Sequence, residues 1–207
     1  ADIDYNASKN TVKISMKTYI EKMLRKFDMV EAKPLTTPSF EEKMLYDPKS
    51  KKSDFDFRSA VGALQWAATC GRPDISHATN TLARACANPC NTSMAKATRI
   101  VFRYLLGTLD YAIEYNPKIE KEFYAEFDKI LVDETENENW TEDAKKQKDK
   151  ELYLFTDASF GVAYKSMKSV SGIAVYLHGC IIAWRSKVQT IMTNCATQSE
   201  WVALSDG

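Results

Sequence analysis

The sequence predicts a mixed α+β or α/β chain made of two differently patterned parts. Residues 1–116 show helical apolar periodicity after a short hairpin pattern, whereas residues 151–207 contain apolar runs that are typical of strands. Between them, residues 117–150 are highly charged and have no clear period after Phe127. We therefore expect a helical part with a β-hairpin, an acidic insert or linker, and a small sheet.

Bulk composition is that of an ordinary folded protein, because 44% of the 207 residues are hydrophobic and 27% are charged. No apolar run reaches the roughly 18 residues that a membrane span needs, and the first residues do not form a signal peptide. The missing initiator Met fits a fragment of a longer protein. No association with a membrane is expected.

Five cysteines and two histidines are scattered without a C-x-x-C pair, so the sequence does not predict a zinc site. Buried thiols in a reducing compartment are the simpler interpretation. The net charge of zero conceals an uneven distribution: residues 118–151 hold 12 acids and 7 bases, which leaves five excess positive charges elsewhere. A mildly basic body is compatible with phosphate binding but does not by itself indicate it.

In the N-terminal part, strands are expected over residues 2–5 and 11–15, joined by a polar turn. A helix should then run from Met16 to about Phe27, with Ser15 as its N-cap.

Three prolines predict an extended crossing segment over residues 30–53, after which Ser53 or Asp54 should cap a helix that is apolar nearly all round and therefore buried. Arg72 and Asp74 flank Pro73, where Asp74 should cap the next helix and Arg72 should pair nearby. The expected elements of this stretch are helices over about 55–70, 73–87 and 92–106, then a strand over 111–115.

The C-terminal part should contain strands over residues 152–156, 172–177 and 181–186, with a tight turn at His178-Gly179. A last helix should begin near Thr197. Three tryptophans are interpreted as core aromatic residues: Trp66, Trp184 and Trp201.

Nine stretches in the same order resemble motifs of copia-type LTR retrotransposon Pol polyproteins. Thr69–Ile75 carries the R-P-D-I motif, and Lys168–Gly172 resembles K-S-T-S-G. The other stretches are 16–24, 33–38, 57–64, 97–108, 155–160, 182–189 and 196–204. Together they cover nearly everything except residues 117–150.

This resemblance implies that residues 1–116 correspond to the reverse transcriptase thumb and connection region, and residues 151–207 to the first part of a ribonuclease H domain. A helical thumb-like region, an acidic insert at 117–150 and a truncated RNase H-like mixed sheet are then expected. The paired aspartates of the polymerase are not in this chain, and Gln198 stands where the family has a glutamate.

The resemblance also implies a magnesium site. Ribonuclease H uses carboxylates that hold two Mg²⁺ ions about 4 Å apart, and Asp157 and Glu200 match the first two of these ligands. The alternative for Asp157 is a solvated turn residue, and for Glu200 a capping box with Thr197. The remaining ligands should lie beyond Gly207, since Asp206 matches none, so we expect this chain alone to be inactive.

A basic stripe formed by Lys96, Arg99 and Arg103 has helical spacing and is the candidate nucleic-acid-binding surface. The alternative is the solvated face of an ordinary amphipathic helix.

Three functional hypotheses remain at this point: a reverse transcriptase and ribonuclease H fragment, a co-opted non-catalytic scaffold or interaction subunit, and a nucleic-acid-binding module. The expected partners are an RNA–DNA hybrid or primer–template duplex, and the rest of the Pol polyprotein or another protein that completes the fold. The expected location is intracellular, in cytoplasmic virus-like particles and in the nucleus.

Overall fold

The computed structural model describes residues 1–135, 152–164 and 166–207, and over 127–135 it describes the backbone alone. Its strands are β1 Asp2–Asn6, β2 Thr11–Ser15, β3 Ala112–Tyr115, β4 Leu152–Ser159, β5 Val170–Leu177 and β6 Cys180–Val188. Its α-helices are α1 Lys17–Lys26, α2 Phe57–Cys70, α3 Ser76–Ala85, α4 Thr92–Gly107, α5 Pro117–Thr135 and α6 Ala196–Asp206. Short 3₁₀ helices cover Glu42–Tyr46 and Pro73–Ile75. The predicted mixture of helices and strands is confirmed.

The first sheet has the order β1-β2-β3 and is antiparallel. β1 and β2 form the predicted hairpin. β3 pairs with β2 so that Ile113 lies opposite Ile14. β3 follows α4 along the chain. Its pairing with β2 therefore joins the two ends of the helical part, residues 1–116.

Helices α1 to α4 share one apolar core. Ile20, Leu64, Leu82 and Phe102, one from each helix, are fully buried. Each belongs to an apolar stripe at helical spacing, and burial of these stripes against one another drives the association of the helices.

The start of α1 differs from the prediction, because Met16 is its N-cap and makes no capping bond with its side chain. Ser15 is the last residue of β2, where its backbone pairs with β3, so its prediction as the cap is wrong. Asp2 takes over the role, since its carboxylate accepts a hydrogen bond from the Thr18 amide at 2.9 Å.

The start of α2 also differs, because Asp56 caps it by accepting a hydrogen bond from the Ser59 amide at 3.3 Å. The prediction of Ser53 or Asp54 is therefore wrong by two to three residues. Helix boundaries of this kind depend on where the chain turns into the core, which local residue preferences do not determine.

The tryptophans do not all lie in the core. Trp66 on α2 is 56% exposed and Trp201 on α6 is 68% exposed, so the prediction for these two is wrong. Each helix packs through one face only, and both side chains lie on the opposite face. Trp184 is partly buried, and its indole N–H donates to the carbonyl of Ala68 at 2.7 Å.

Arg72 is a buried structural cation, 1% exposed. Its guanidinium pairs with Asp74 at 2.8 Å and donates to the carbonyl of Thr108 at 3.0 Å. The hydroxyl of Tyr104 donates to the same carboxylate at 2.7 Å, and burial together with this carboxylate raises the pKa of Tyr104 to about 12. The predicted pairing of Arg72 is confirmed. Asp74 does not cap α3, whose N-cap makes no side-chain hydrogen bond.

The second sheet has the order β4-β5-β6 and is antiparallel throughout its described strands, whereas the resemblance predicts a mixed sheet. The predicted turn at His178-Gly179 is confirmed, with φ of 48° and 73°. Two consecutive residues in the left-handed backbone conformation form a turn whose twist matches that of two antiparallel strands. A Cβ at Gly179 would also lie 2.7 Å from the Cβ of Phe123, so the turn residue is doubly constrained.

Helix α5 occupies the beginning of the segment for which the sequence predicts disorder or a loose helix. It packs on the second sheet through Phe123, whose ring stacks on Tyr176 with centroids 5.6 Å apart. The prediction for residues 136–150 lies outside the described residues.

The helical part and the second sheet are in contact. The amide of Asn80 donates to the carbonyl of Ser186 at 2.7 Å, and the hydroxyl of Tyr115 donates to the carbonyl of Ile181 at 2.8 Å. The division at residues 117–150 stays a prediction. None of the helices in the described ranges combines the length and apolarity that crossing a bilayer requires.

Candidate functional site

Asp157 lies near the end of β4 and is exposed to solvent. Among the described strands β4 pairs only with β5, so it forms one edge of the sheet. The residue opposite Asp157 is Gly172, which places no side chain beside the carboxylate. Asp157 lines a cleft of about 420 Å³ together with His77 and Trp184.

Glu200 lies in the second turn of α6 and reaches the edge strand. Its Oε1 accepts a hydrogen bond from the amide of Ala158 at 3.2 Å. The alternative of a capping box with Thr197 is wrong, because the N-cap lies two residues earlier, at Cys195, which makes no side-chain hydrogen bond.

The two carboxylates approach the same end of β4 from different faces of the sheet. Successive side chains of a strand alternate between faces, so Asp157 lies on one face, and Thr156 and Ala158 lie on the other. Glu200 lines a second cleft, of about 390 Å³, with Trp201 and Leu204, and Thr156 lines both clefts. The structure thus places the two predicted ligands one residue apart along the strand edge but does not gather them into one cleft.

The donor chemistry suits Mg²⁺, which takes hard carboxylate oxygens. The number of donors does not suffice, because within the described ranges no group of three or more His, Cys, Asp or Glu side chains is arranged to hold a metal ion. These residues therefore fit part of a magnesium site.

The predicted basic stripe lies on α4, but its three members differ. Lys96 is exposed. Arg99 is exposed with its guanidinium 5.4 Å from the ring centroid of Phe55. Arg103 is partly buried and donates to the carbonyl of Lys33 at 2.6 Å, so it fastens the extended segment to α4.

An aromatic component of this surface was not predicted from the sequence. The ring of Phe55 lies 5.9 Å from that of Phe27, and the ammonium of Lys26 lies 5.2 Å from the Phe27 centroid. With Arg99, these residues form a row of cation, ring, ring and cation. The basic spacing on α4 could not reveal this row, because its members come from three separate segments.

His77 is a second feature that the sequence did not reveal. Its Nδ1 lies 3.5 Å from the hydroxyl of Ser186, in the same cleft as Asp157. Burial lowers the pKa of His77, and the cation of Arg84 lowers it further, while Glu42 partly opposes them. Burial and Arg84 thus favour the neutral form of this imidazole, where the helical part meets the sheet.

Comparison with known proteins gives the chain relatives over most of its length. It is 27% identical over 201 residues, 93% of its length, to the retrovirus-related Pol polyprotein from transposon TNT 1-94 of Nicotiana tabacum. It is 27% identical over 195 residues to the corresponding polyprotein from transposon RE1 of Arabidopsis thaliana. The chain is homologous to copia-type retrotransposon Pol polyproteins. The resemblance seen in the nine motifs is thereby confirmed.

The chain spans 13% and 11% of these two Pol polyproteins. It is also 26% identical to an uncharacterised mitochondrial protein of Arabidopsis thaliana, of which it covers 68%. No protein-family model and no solved structure matches it.

Proposed function

We propose that this chain is a segment of a retrotransposon reverse transcriptase and ribonuclease H polyprotein that acts on RNA–DNA hybrids. Residues 1–116 would form a thumb- and connection-like region, and residues 151–207 the first part of an RNase H-like domain. Homology to Pol polyproteins over 93% of the chain supports the proposal. The observation that carries it is the contact of Glu200 with the strand edge beside Asp157.

In the proposal Asp157 and Glu200 hold Mg²⁺ at this edge in the intact domain. When bound, Mg²⁺ activates water and stabilises negative charge on the leaving oxygen. The edge position suits the two carboxylates, because each can lean past the end of β4 from its own face. Two carboxylates bind Mg²⁺ weakly, so cleavage requires further ligands from the rest of the polyprotein, and residues 1–207 alone should be inactive.

The remaining parts of the proposal concern partners and location. Duplex phosphates would contact the surface formed by Lys96, Arg99 and Arg103, and the rest of the Pol polyprotein would complete the sheet. This activity would take place inside the cell, in virus-like particles in the cytoplasm and in the nucleus.

The metal site is tested on the full chain with Mn²⁺ as a paramagnetic substitute for Mg²⁺. We expect Mn²⁺ to broaden the amide resonance of Ala158 in the unmodified chain, and to do so less in Asp157→Asn and in Glu200→Gln. Asp206→Asn is the matched control, since this carboxylate ends the same helix and matches no ligand position. Equal broadening in Asp157→Asn and in the unmodified chain would contradict the assignment of Asp157.

The inactivity of the chain is tested with a labelled RNA–DNA hybrid in Mg²⁺ or Mn²⁺. We expect no metal-dependent cleavage. Cleavage that Asp157→Asn abolishes would contradict the requirement for further ligands while supporting the site itself.

The second candidate function is a non-catalytic scaffold or interaction subunit. Coverage of 68% of the uncharacterised mitochondrial protein favours it, because that relative is far shorter than a Pol polyprotein. Failure of Mn²⁺ to bind in the experiment above would favour this candidate over the first.

A further inference from the structure

A cluster of polar side chains is buried between the second sheet and α6. Its members are Ser169, Ser171, Gln189, Thr193 and Ser199, all of them at most 7% exposed. Three of the stretches that resemble Pol motifs, 168–172, 182–189 and 196–204, meet here. No part of the proposed chemistry uses these side chains, so their burial needs a separate explanation.

Gln189 is the centre of the cluster and is 1% exposed. Its side-chain amide donates two hydrogen bonds, to the hydroxyl of Ser171 at 3.0 Å and to the carbonyl of Ser199 at 2.8 Å. Its backbone amide donates to the carbonyl of Ser169 at 2.9 Å. One residue thus connects the end of β6 to β5 and to α6.

The orientation of this amide is fixed by chemistry, because the carbonyl of Ser199 can only accept. The Nε2 group must therefore face α6, and the Oε1 atom of Gln189 then has no hydrogen-bond partner among the described residues. A buried acceptor without a partner is unfavourable, whereas an apolar side chain of the same shape would avoid that loss. What Gln189 provides and an apolar residue does not is a directed bond that fixes the position of the helix.

The fixed carbonyl belongs to the peptide group that joins Ser199 to Glu200. The next side chain along the helix is therefore the carboxylate that accepts from the amide of Ala158 at 3.2 Å. A further hydrogen bond stabilises the same helical turn, because the hydroxyl of Ser199 donates to the carbonyl of Ala196 at 2.6 Å. The buried bond and the exposed contact lie on consecutive residues.

We propose that Gln189 is a positioning residue that sets the carboxylate of Glu200 over the β4 edge by holding the Ser199 carbonyl. The importance of this placement for metal binding rests on the function proposed above, whereas the placement itself does not. The motif stretches 168–172 and 182–189 would then be needed for the geometry of Glu200 rather than for contact with a ligand.

The test is hydrogen exchange of individual amides in the full chain. Gln189→Met keeps the side-chain length and removes both donors. We expect the Ala158 amide to exchange about tenfold faster in this variant, relative to the amides of the β5–β6 ladder. Gln198→Met is the matched control, because Gln198 is exposed and its side chain accepts only locally from the Asn194 amide at 2.8 Å.

Comparison with the β5–β6 ladder separates positioning from general stability, since a purely structural loss would accelerate all of these amides together. Unchanged relative protection of Ala158 in Gln189→Met would overturn the proposal. If that variant does not fold, Gln189→Glu at neutral pH replaces it, because a carboxylate of nearly the same shape can accept from the Ser171 hydroxyl but cannot donate to the Ser199 carbonyl. A selective acceleration at Ala158 is again expected, and no selective change would overturn the proposal.

The same variants distinguish this inference from the proposed function. Mn²⁺ that broadens Ala158 in the unmodified chain and less in Gln189→Met supports both. If Mn²⁺ broadens nothing in any variant but Gln189→Met still accelerates exchange at Ala158, the metal site is wrong and the positioning role of Gln189 stands.

Discussion

At the scale of single residues, burial decides how much a charge contributes. Arg72 is fully buried and satisfied by Asp74 and Thr108, whereas Lys43 and Glu41 form a pair at the surface, 2.8 Å apart. Water screens the surface pair, whereas the guanidinium of Arg72 is out of reach of water and Asp74 is only partly exposed.

Replacing Arg72 by methionine should therefore lower the free energy of unfolding by about 3–5 kcal/mol, because the carboxylate of Asp74 loses its cation. Lys43→Met should change it little. Urea unfolding followed by circular dichroism measures both variants. Equal stability of the two would show that the buried pair does not stabilise the fold.

His77 should make stability depend on pH. Its pKa is lowered in the folded chain by burial and by Arg84, against the opposing effect of Glu42, while in the unfolded chain it keeps its ordinary value of about 6.5. As the pH falls below about 6.5, the unfolded chain takes up a proton that the folded chain does not yet bind. Stability should thus decrease until the pH passes the lowered pKa, below which this loss grows no further.

The measurement is the free energy of unfolding at pH 7.5 and 5.5. His77→Asn should show a smaller decrease than the unmodified chain. A decrease in His77→Asn as large as that of the unmodified chain would assign the pH dependence to other groups.

At the scale of elements, α4 combines structural and exposed basic residues. Arg103 is bound to the carbonyl of Lys33, while Lys96 and Arg99 are exposed on the same helix. Phosphate contacts are made through exposed cations, so the stripe should not act as three equal charges.

Lys96→Glu and Arg99→Glu should each weaken binding of a primer–template duplex and reduce the dependence of log affinity on log salt by about 1. Arg103→Met should affect stability more than binding. Fluorescence anisotropy at several salt concentrations measures the slopes, with Lys118→Glu on α5 as a control outside the stripe. If Arg99→Glu and the control gave the same salt slope, the stripe would not be part of the surface that binds the duplex.

At the scale of the whole molecule, Glu42 links the helical part to the loop between β4 and β5. Its carboxylate pairs with Arg84 at 2.8 Å and accepts from the amide of Tyr164 at 3.1 Å. The rings of Tyr46 and Tyr164 stack beside it with centroids 5.4 Å apart. Glu42 is mostly buried, so water replaces these bonds poorly.

Glu42→Gln should release this loop from the helical part. The Tyr164 amide should exchange about tenfold faster, and the coupling between Glu42 and Arg84 in a double-mutant cycle with Arg84→Met should be about 1 kcal/mol or more. Glu41→Gln is the control, since Glu41 pairs only at the surface with Lys43. Unchanged exchange at Tyr164 would mean that the loop is held in place by other contacts.

The elements were predictable where a local pattern specifies them. The spacing of Ile20 and Leu24 predicted α1, the helix before Gly107 was found almost to the residue, and His178-Gly179 marked its turn. The helix caps were less predictable, because the carboxylate that accepts from the Thr18 amide of α1 belongs to Asp2 in β1. A hydrogen bond between distant segments leaves no signal in either segment alone.

The candidate site was predictable only in part. The family resemblance predicts that Asp157 and Glu200 belong to one site, and the structure places Glu200 against the residue after Asp157. It also separates them by face, which follows from the alternation of side chains along β4 and from the face that α6 covers. The partners His77 and Gln189 could not be found in advance, since one has no recognisable spacing and the other needed the packing of α6.

The sequence by itself determined that the chain is mixed α and β and that it is related to retrotransposon Pol polyproteins, because periodicity and ordered motifs are properties of neighbouring residues. Only the tertiary structure decided which residues cap the helices, which tryptophans are exposed, and from which side each carboxylate reaches the β4 edge. These features depend on which faces of the helices and sheets pack together, and that packing is determined by all the elements at once.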